Sequence, residues 1–221
     1  MSRSKKHLRK RSRKKTQKKR KSSFGFDYGA TAALRGAASW PLLECLIGAE
    51  WERPGEIFQL CVARRSPQGQ VAAGVFLVDL GCLGVKNAYA SLFSSKSEYE
   101  KELVTRLKRS QPMMRCDLDF AAKVVDEAVK YAASLGFKPN KDIKLANMVL
   151  GDTNPENCHV DIPLGKDGQP FFISGPYDNV DRVIRTLDRN VGQGNYHTLI
   201  QIPGPFDIDA GYDPDSTVDF E

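Results

Sequence analysis

The apolar and polar positions of this 221-residue chain change period several times, and each change marks a predicted element. Residues 70–86, Gln-Val-Ala-Ala-Gly-Val-Phe-Leu-Val-Asp-Leu-Gly-Cys-Leu-Gly-Val-Lys, form its longest apolar run, rich in β-branched side chains and ended by two glycines. A run of this kind bounded by turn residues predicts a strand buried on both faces. Glu56 to Arg64 reads as a preceding strand, and Ser66-Pro67-Gln68-Gly69 as the turn that joins the two into a β-hairpin. Further upstream, Leu42, Leu43, Leu46 and Ile47 recur at helical spacing. With Ser39 as N-cap and Pro41 in the first turn, they predict a helix that stops before Arg53-Pro54-Gly55.

Beyond Lys86 the pattern predicts helices. Ser97-Glu98-Tyr99-Glu100 has the form of a capping box, with Tyr99, Leu103 and Leu107 following at steps of four and Pro112 closing the helix. The clearest signal comes next: Asp117 as N-cap, then Leu118, Ala121, Val125, Ala128, Ala132 and Leu135 on one stripe, with Gly136 at the stop and Pro139 beyond. A shorter helix is predicted from about Lys141 to Leu150, ending at Gly151. Residues 158–173 read as a second hairpin around Gly165-Lys166-Asp167-Gly168. A last helix carries Val180, Val183, Ile184, Leu187 and Val191, and a final strand runs from Tyr196 to Ile202. The predicted class is α+β: two β-hairpins in an antiparallel or mixed sheet, with helices packed on one face.

Charge divides the chain into three parts. Arg3, Lys5, Lys6, Arg9, Lys10, Arg11, Arg13, Lys14, Lys15, Lys18, Lys19, Arg20 and Lys21 supply thirteen of its 33 basic residues, and residues 1–21 hold no acid. Six acids, Asp207, Asp209, Asp213, Asp215, Asp219 and Glu221, occupy the last fifteen residues, which hold no base. Segments so charged and so poor in apolar residues cannot bury enough surface to offset their ordering entropy. The expected organisation is a disordered basic tail over 1–23, one α+β domain over 24–204 with Phe24, Phe26 and Tyr28 at its entry, and a disordered acidic tail over 205–221. A dense basic run attracts polyanions by releasing their counterions, so nucleic acid, RNA ahead of DNA and the ribosome included, is the expected partner. No run reaches the roughly 18 apolar residues of a membrane span. Five scattered cysteines without a C-x-x-C pair argue against a zinc ribbon or a disulfide scaffold, so a reducing, cytoplasmic setting with no metal or cofactor is expected.

Two sets of residues invite a chemical reading. At the exit of the central strand, Asp79 and Cys82 sit in a glycine turn. A nucleophilic thiol there would need a base, with His159 or His197 the domain's two choices, and the turn's N–H groups would serve as an oxyanion site. The plainer account is a capped strand end, with Cys82 filling the core. The carboxylates Asp79, Asp117, Asp119, Asp152 and Asp161 could also be imagined gathering a magnesium ion for a nuclease, although Asp117 and Asp119 are better explained at a helix start. Arg182, Arg185 and Arg189 share a face of the last helix. Because Asp178 and Asp181 stand four residues before the first two, a salt-bridged surface is expected there.

Leu60-Cys61-Val62-Ala63-Arg64-Arg65, the stretch from Gly74 to Lys86, and Gly136-Phe137-Lys138-Pro139 together resemble a family of uncharacterised bacterial proteins. The resemblance implies no activity and assigns no catalytic residue. A non-enzymatic nucleic-acid-associated protein is therefore the leading expectation. A small hydrolase or nuclease at Asp79 and Cys82, or a protein-interaction domain, are the alternatives.

Overall fold

The computed structural model describes residues 34–200, so the expectations for the basic tail, the aromatic entry and the acidic tail lie outside the described residues. After a 3-10 turn at Ala37–Ser39, four strands follow as an up-and-down meander: β1 (Leu42–Gly48), β2 (Ile57–Arg65), β3 (Val71–Asp79) and β4 (Gly84–Phe93). The chain then crosses the sheet through α1 (Lys96–Tyr99), a π-helical turn (Glu100–Val104) and α2 (Thr105–Ser110). It adds β5 (Met113–Arg115) beside β1, giving an antiparallel five-stranded sheet of order β4-β3-β2-β1-β5. Helices α3 (Leu118–Ser134) and α4 (Ile143–Leu150) follow. Last come β6 (Phe171–Ile173), α5 (Val180–Asn190) and β7 (His197–Leu199). The class is α+β, as expected.

The sheet is covered on both faces, not one. On the first face Phe58, Leu60 and Val62 of β2 and Ala72, Phe76 and Val78 of β3 pack against Ala121, Val125 and Ala128 of α3 and Ala146 and Val149 of α4. The alternate residues Cys61, Ala63, Val71, Ala73 and Val75 meet Tyr99, Leu103, Val104 and Leu107 on the other. The period of two thus sends each strand residue to one of two cores. Gly74 faces α4 at the closest approach, since a Cβ built there would lie 2.7 Å from the Ala146 carbonyl oxygen. The stripe on α3 is buried as predicted, and Gly136, at φ +89°, stops the helix with Phe137 N–H donating to Ala132 O and Gly136 N–H to Ala133 O. Asp117 occupies the N-cap position of α3, but its side chain makes no capping bond. For α1 the cap is Ser95, two residues before the predicted capping box, accepting from Glu98 N–H.

Three predicted elements differ. The helix expected from Ser39 is strand β1. Its apolar residues go to both cores, Cys45 and Ile47 to one and Leu46 to the other, and a run apolar on both faces carries no period that separates strand from helix. Lys86 does not begin a helical region but lies inside β4. Leu77 pairs with Asn87 while Val78 pairs with Val85, so Lys86 is the extra residue of a β-bulge.

The hairpin expected over 158–173 is reduced to its tip, a bridge between Lys166 and Gln169. The segment's donors go elsewhere, Gly165 N–H to Leu80 O and Phe171 N–H to Gly81 O, and Pro163 and Pro170 have no donor to give. β6 instead pairs in parallel with β7, which covers only part of the strand expected over 196–202, and α5 forms the crossover between them.

Arg64 ties the layers together. Its guanidinium is buried and donates to Val149 O at 2.7 Å and Leu150 O at 3.0 Å, the last carbonyls of α4, and to Trp40 O at 3.0 Å. A cation at a helix C-terminus completes carbonyls that the helix itself leaves unbonded.

Candidate functional site

The turn between β3 and β4 is built around Asp79, which is 2% exposed. Its Oδ1 accepts from Gly81 N–H at 2.9 Å and Cys82 N–H at 3.0 Å, and its Oδ2 from Leu83 N–H at 3.2 Å. Burial pushes this carboxyl up to about 6, outweighing the three N–H donors and nearby Lys86, all of which pull it down. The N–H groups that an oxyanion site would need are therefore spent on Asp79. The turn's own carbonyls, Leu80 O and Gly81 O, are taken by Gly165 and Phe171.

Cys82 is fully buried in a third apolar cluster with Leu135, Phe172, Val183 and Leu187. Burial, reinforced by the Asp79 charge, drives its thiol far above the ordinary range, the opposite of what a nucleophile requires. Cys45, Cys61 and Cys116 are likewise pushed up to about 12 by burial. The structure brings Asp79 and Cys82 together only through the Asp79 carboxylate and the Cys82 backbone. His159 lies exposed in the loop after the 3-10 turn Pro155–Asn157, not in a strand. His197 is exposed on β7, its ring edge-on to Phe171 at 6.4 Å. Among the described residues neither imidazole hydrogen-bonds to Cys82 or Asp79. No three His, Cys, Asp or Glu side chains among the described residues gather to hold a metal, so Asp79, Asp117, Asp119, Asp152 and Asp161 do not assemble the carboxylate cluster a magnesium-dependent nuclease needs.

A second feature emerges beside this turn. The bulge aims the Lys86 amine at Asp178, 2.7 Å away, and both side chains are largely buried. Asp178 Oδ2 also accepts from Gly175 N–H at 2.8 Å, which fixes the turn before α5. Asp178 is thus not the partner of Arg182 that the four-residue spacing predicts. Nor does Arg185 pair with the Asp181 carboxylate; its Nε donates to the Asp181 carbonyl at 3.1 Å. The salt-bridged surface expected on this helix does not form.

What forms instead is an open cleft of about 530 Å³ between β4, the α3–α4 connection and α5. Lys86, Lys138, Arg182, Asn179 and Tyr177 line it. Neither Lys138 nor Arg182 makes an ion pair among the described residues. Tyr177 is 99% exposed, on the turn that Asp178 holds. Nothing in the spacing marks Lys86, Lys138 or Tyr177 as members of one site. Only the Gly136 stop, which turns the chain back over β4, brings Lys138 there. A larger cleft of about 710 Å³ near Trp51 and Phe120 is acidic by contrast, with Glu52, Asp117 and Asp119 against Arg115. In comparisons with protein families, with curated proteins and with solved structures, nothing matches the chain.

Proposed function

We propose that the chain is a non-enzymatic, nucleic-acid-associated protein of the cytoplasm, its α+β domain tethered to RNA, in settings that include the ribosome, by the basic segment 1–23. The observation that carries this reading is the run of thirteen Lys and Arg residues within 21 positions that contain no carboxylate. Neutralising phosphates with such a run releases condensed counterions, which gives affinity without sequence preference. Two observations on the folded domain support the non-enzymatic part. The strand-exit turn has committed its N–H groups and its thiol internally, and the two histidines stand exposed away from them. In addition, no described helix is long and apolar enough to cross a membrane.

The test is a salt series of RNA binding with the full chain and with a form lacking Met1 to Ser23. If about six phosphates are contacted, log K for the full chain falls with log salt at a slope near −5 on duplex and near −4 on single strands. The shortened form should lose most of that affinity and slope. Binding that survives the deletion undiminished would overturn the assignment to the basic segment.

A further inference from the structure

We infer that the cleft beside Lys86 binds a nucleotide unit, its phosphate between Lys138 and Arg182 and its base stacked on Tyr177. The inference stands on the folded domain and does not depend on the basic segment.

Four observations carry it. The first is size: about 530 Å³ falls within the range of pockets that enclose a small organic ligand. The second is charge. Of the four charged residues lining the cleft, Lys86 and Asp178 neutralise each other at 2.7 Å, so Lys138 and Arg182 present two uncompensated cations. An ammonium and a guanidinium across a cleft suit a phosphate, which accepts on several oxygens at once.

The third is Tyr177. A tyrosine that is 99% exposed contributes nothing to the core, and here its ring stands at the rim of a cationic cleft. Aromatic faces beside cations are how proteins hold single nucleotides and single strands without reading their sequence. An acidic peptide meets the cations through its carboxylates, whereas a nucleotide brings both the anion and a planar face for the ring.

The fourth is rigidity. Asp178 accepts from both Lys86 and Gly175, and Asp178 N–H donates back to Gly175 O at 3.2 Å, so the residue after Tyr177 is pinned on both its side chain and its backbone. The backbone that carries Tyr177 is set before the ligand arrives, which lowers the ordering cost of binding to that of the ring's own rotamer. Asn179 adds specificity for a base edge or a ribose. Its Oδ1 is spent on the Arg182 N–H, while its side-chain NH₂ has no partner among the described residues.

The experiment uses the full chain and two labelled strands of equal length and charge, oligoadenylate and its abasic counterpart, in fluorescence anisotropy at fixed salt. A tail that reads only phosphates binds both alike, so the ratio of the two affinities isolates the cleft. The wild type should prefer oligoadenylate by about tenfold, the contribution of one stacked base. Tyr177→Ala should reduce that ratio to about one while leaving abasic-strand binding unchanged, and Tyr177→Phe should retain it. Because the Tyr177 side chain is wholly exposed, its removal takes nothing from the fold.

Titration of AMP by calorimetry separates the two sources of the ligand. Saturable binding that Lys138→Ala combined with Arg182→Ala removes identifies a site for free nucleotides. A base preference on strands with no AMP binding identifies a site for nucleotides within a single strand. A wild type with no base preference, whether both strands bind equally or neither binds, overturns the inference. So does a preference that Tyr177→Ala leaves intact. Failure of the basic segment to bind RNA would change only the affinity common to both strands.

Discussion

Asp79→Asn tests the physical account of the β3–β4 turn. In the folded protein burial raises the Asp79 carboxyl from its ordinary 3.8 to about 6. The native state therefore holds this proton more tightly than the unfolded chain does. Between about pH 4 and pH 6 the unfolded chain has released the proton while the folded chain retains it. Stability is consequently full below the lower value and declines as pH rises through that window, then stays level above it. At about 1.4 kcal/mol for each pH unit between the two values, the loss is about 3 kcal/mol.

Asparagine cannot ionise, so the variant lacks this slope, but it gives up the bond at Oδ2. Its carbonyl oxygen can still accept from Gly81 and Cys82, whereas the Leu83 N–H then faces an amide NH₂. Leaving that buried donor unbonded costs about 1–3 kcal/mol. Asp79→Asn should thus be about 1–3 kcal/mol less stable than wild type at pH 4, and at pH 7 equal to it or up to about 2 kcal/mol more stable. Urea unfolding followed by circular dichroism at both pH values gives the difference between the two proteins, in which the titration of every other carboxylate cancels. A difference that rises with pH would refute the reasoning. It would mean that the three N–H donors, not burial, control the group, and that the turn holds its carboxylate charged.

The remaining predictions concern the layers around that turn. Cys82 should react with iodoacetamide more slowly than the half-buried Cys158, and Cys82→Ser should cost about 1–3 kcal/mol for placing a hydroxyl in an apolar cluster. Rapid, selective modification of Cys82 would restore the case for a nucleophile. Arg64→Ala should cost about 3 kcal/mol or more in urea unfolding, since it strips partners from three carbonyls, at least two of them at a buried helix end. Arg64→Lys should recover little of this, because one ammonium cannot reproduce the fork that reaches Val149, Leu150 and Trp40 together. A near-neutral Arg64→Ala would show that α4 is held by its apolar face alone.

What was legible in the sequence follows from where each signal is stored. Helix α3 carries its pattern locally, in a stripe repeated through 17 residues and a glycine stop, so it reads clearly. The β2–β3 hairpin carries its own in a short turn between two strand-like runs. β1 could not be read, because a strand sandwiched between β2 and β5 and covered on both faces has no polar face to reveal its period. β4 was hidden by its bulge, which places Val85 and Ala88, three residues apart, in the same core and so mimics a helical step. The lost hairpin shows the reverse case. Its turn signal at Lys166 to Gln169 is genuine, but the chain on either side docks on Leu80 and Gly81, partners more than eighty residues distant that no local pattern announces.

The same logic explains why one candidate site was legible and the other was not. Asp79 and Cys82 are three residues apart, so a single turn puts them side by side, and sequence could raise the question even though burial answers it unfavourably. The cleft depends on a competition between partners that sequence spacing misjudges. By sequence spacing alone, Asp178 and Arg182 stand in the favourable order for a helix ion pair worth a few tenths of a kcal/mol, but α5 begins only at Val180 and leaves Asp178 in the turn before it. Lys86 approaches Asp178 from 92 positions upstream, and only because a bulge in β4 re-aims it. A largely buried pair reinforced by the Gly175 N–H is screened less than an exposed pair along a helix, so Lys86 wins the carboxylate. The consequence reaches beyond that pair. Arg182 stays without an ion-pair partner among the described residues, Lys138 lines the same cleft, and Tyr177 stands at its rim on the turn that the captured Asp178 holds. One extra residue in an edge strand thus converts what would be a self-neutralised helix face into a cationic cleft with an aromatic rim.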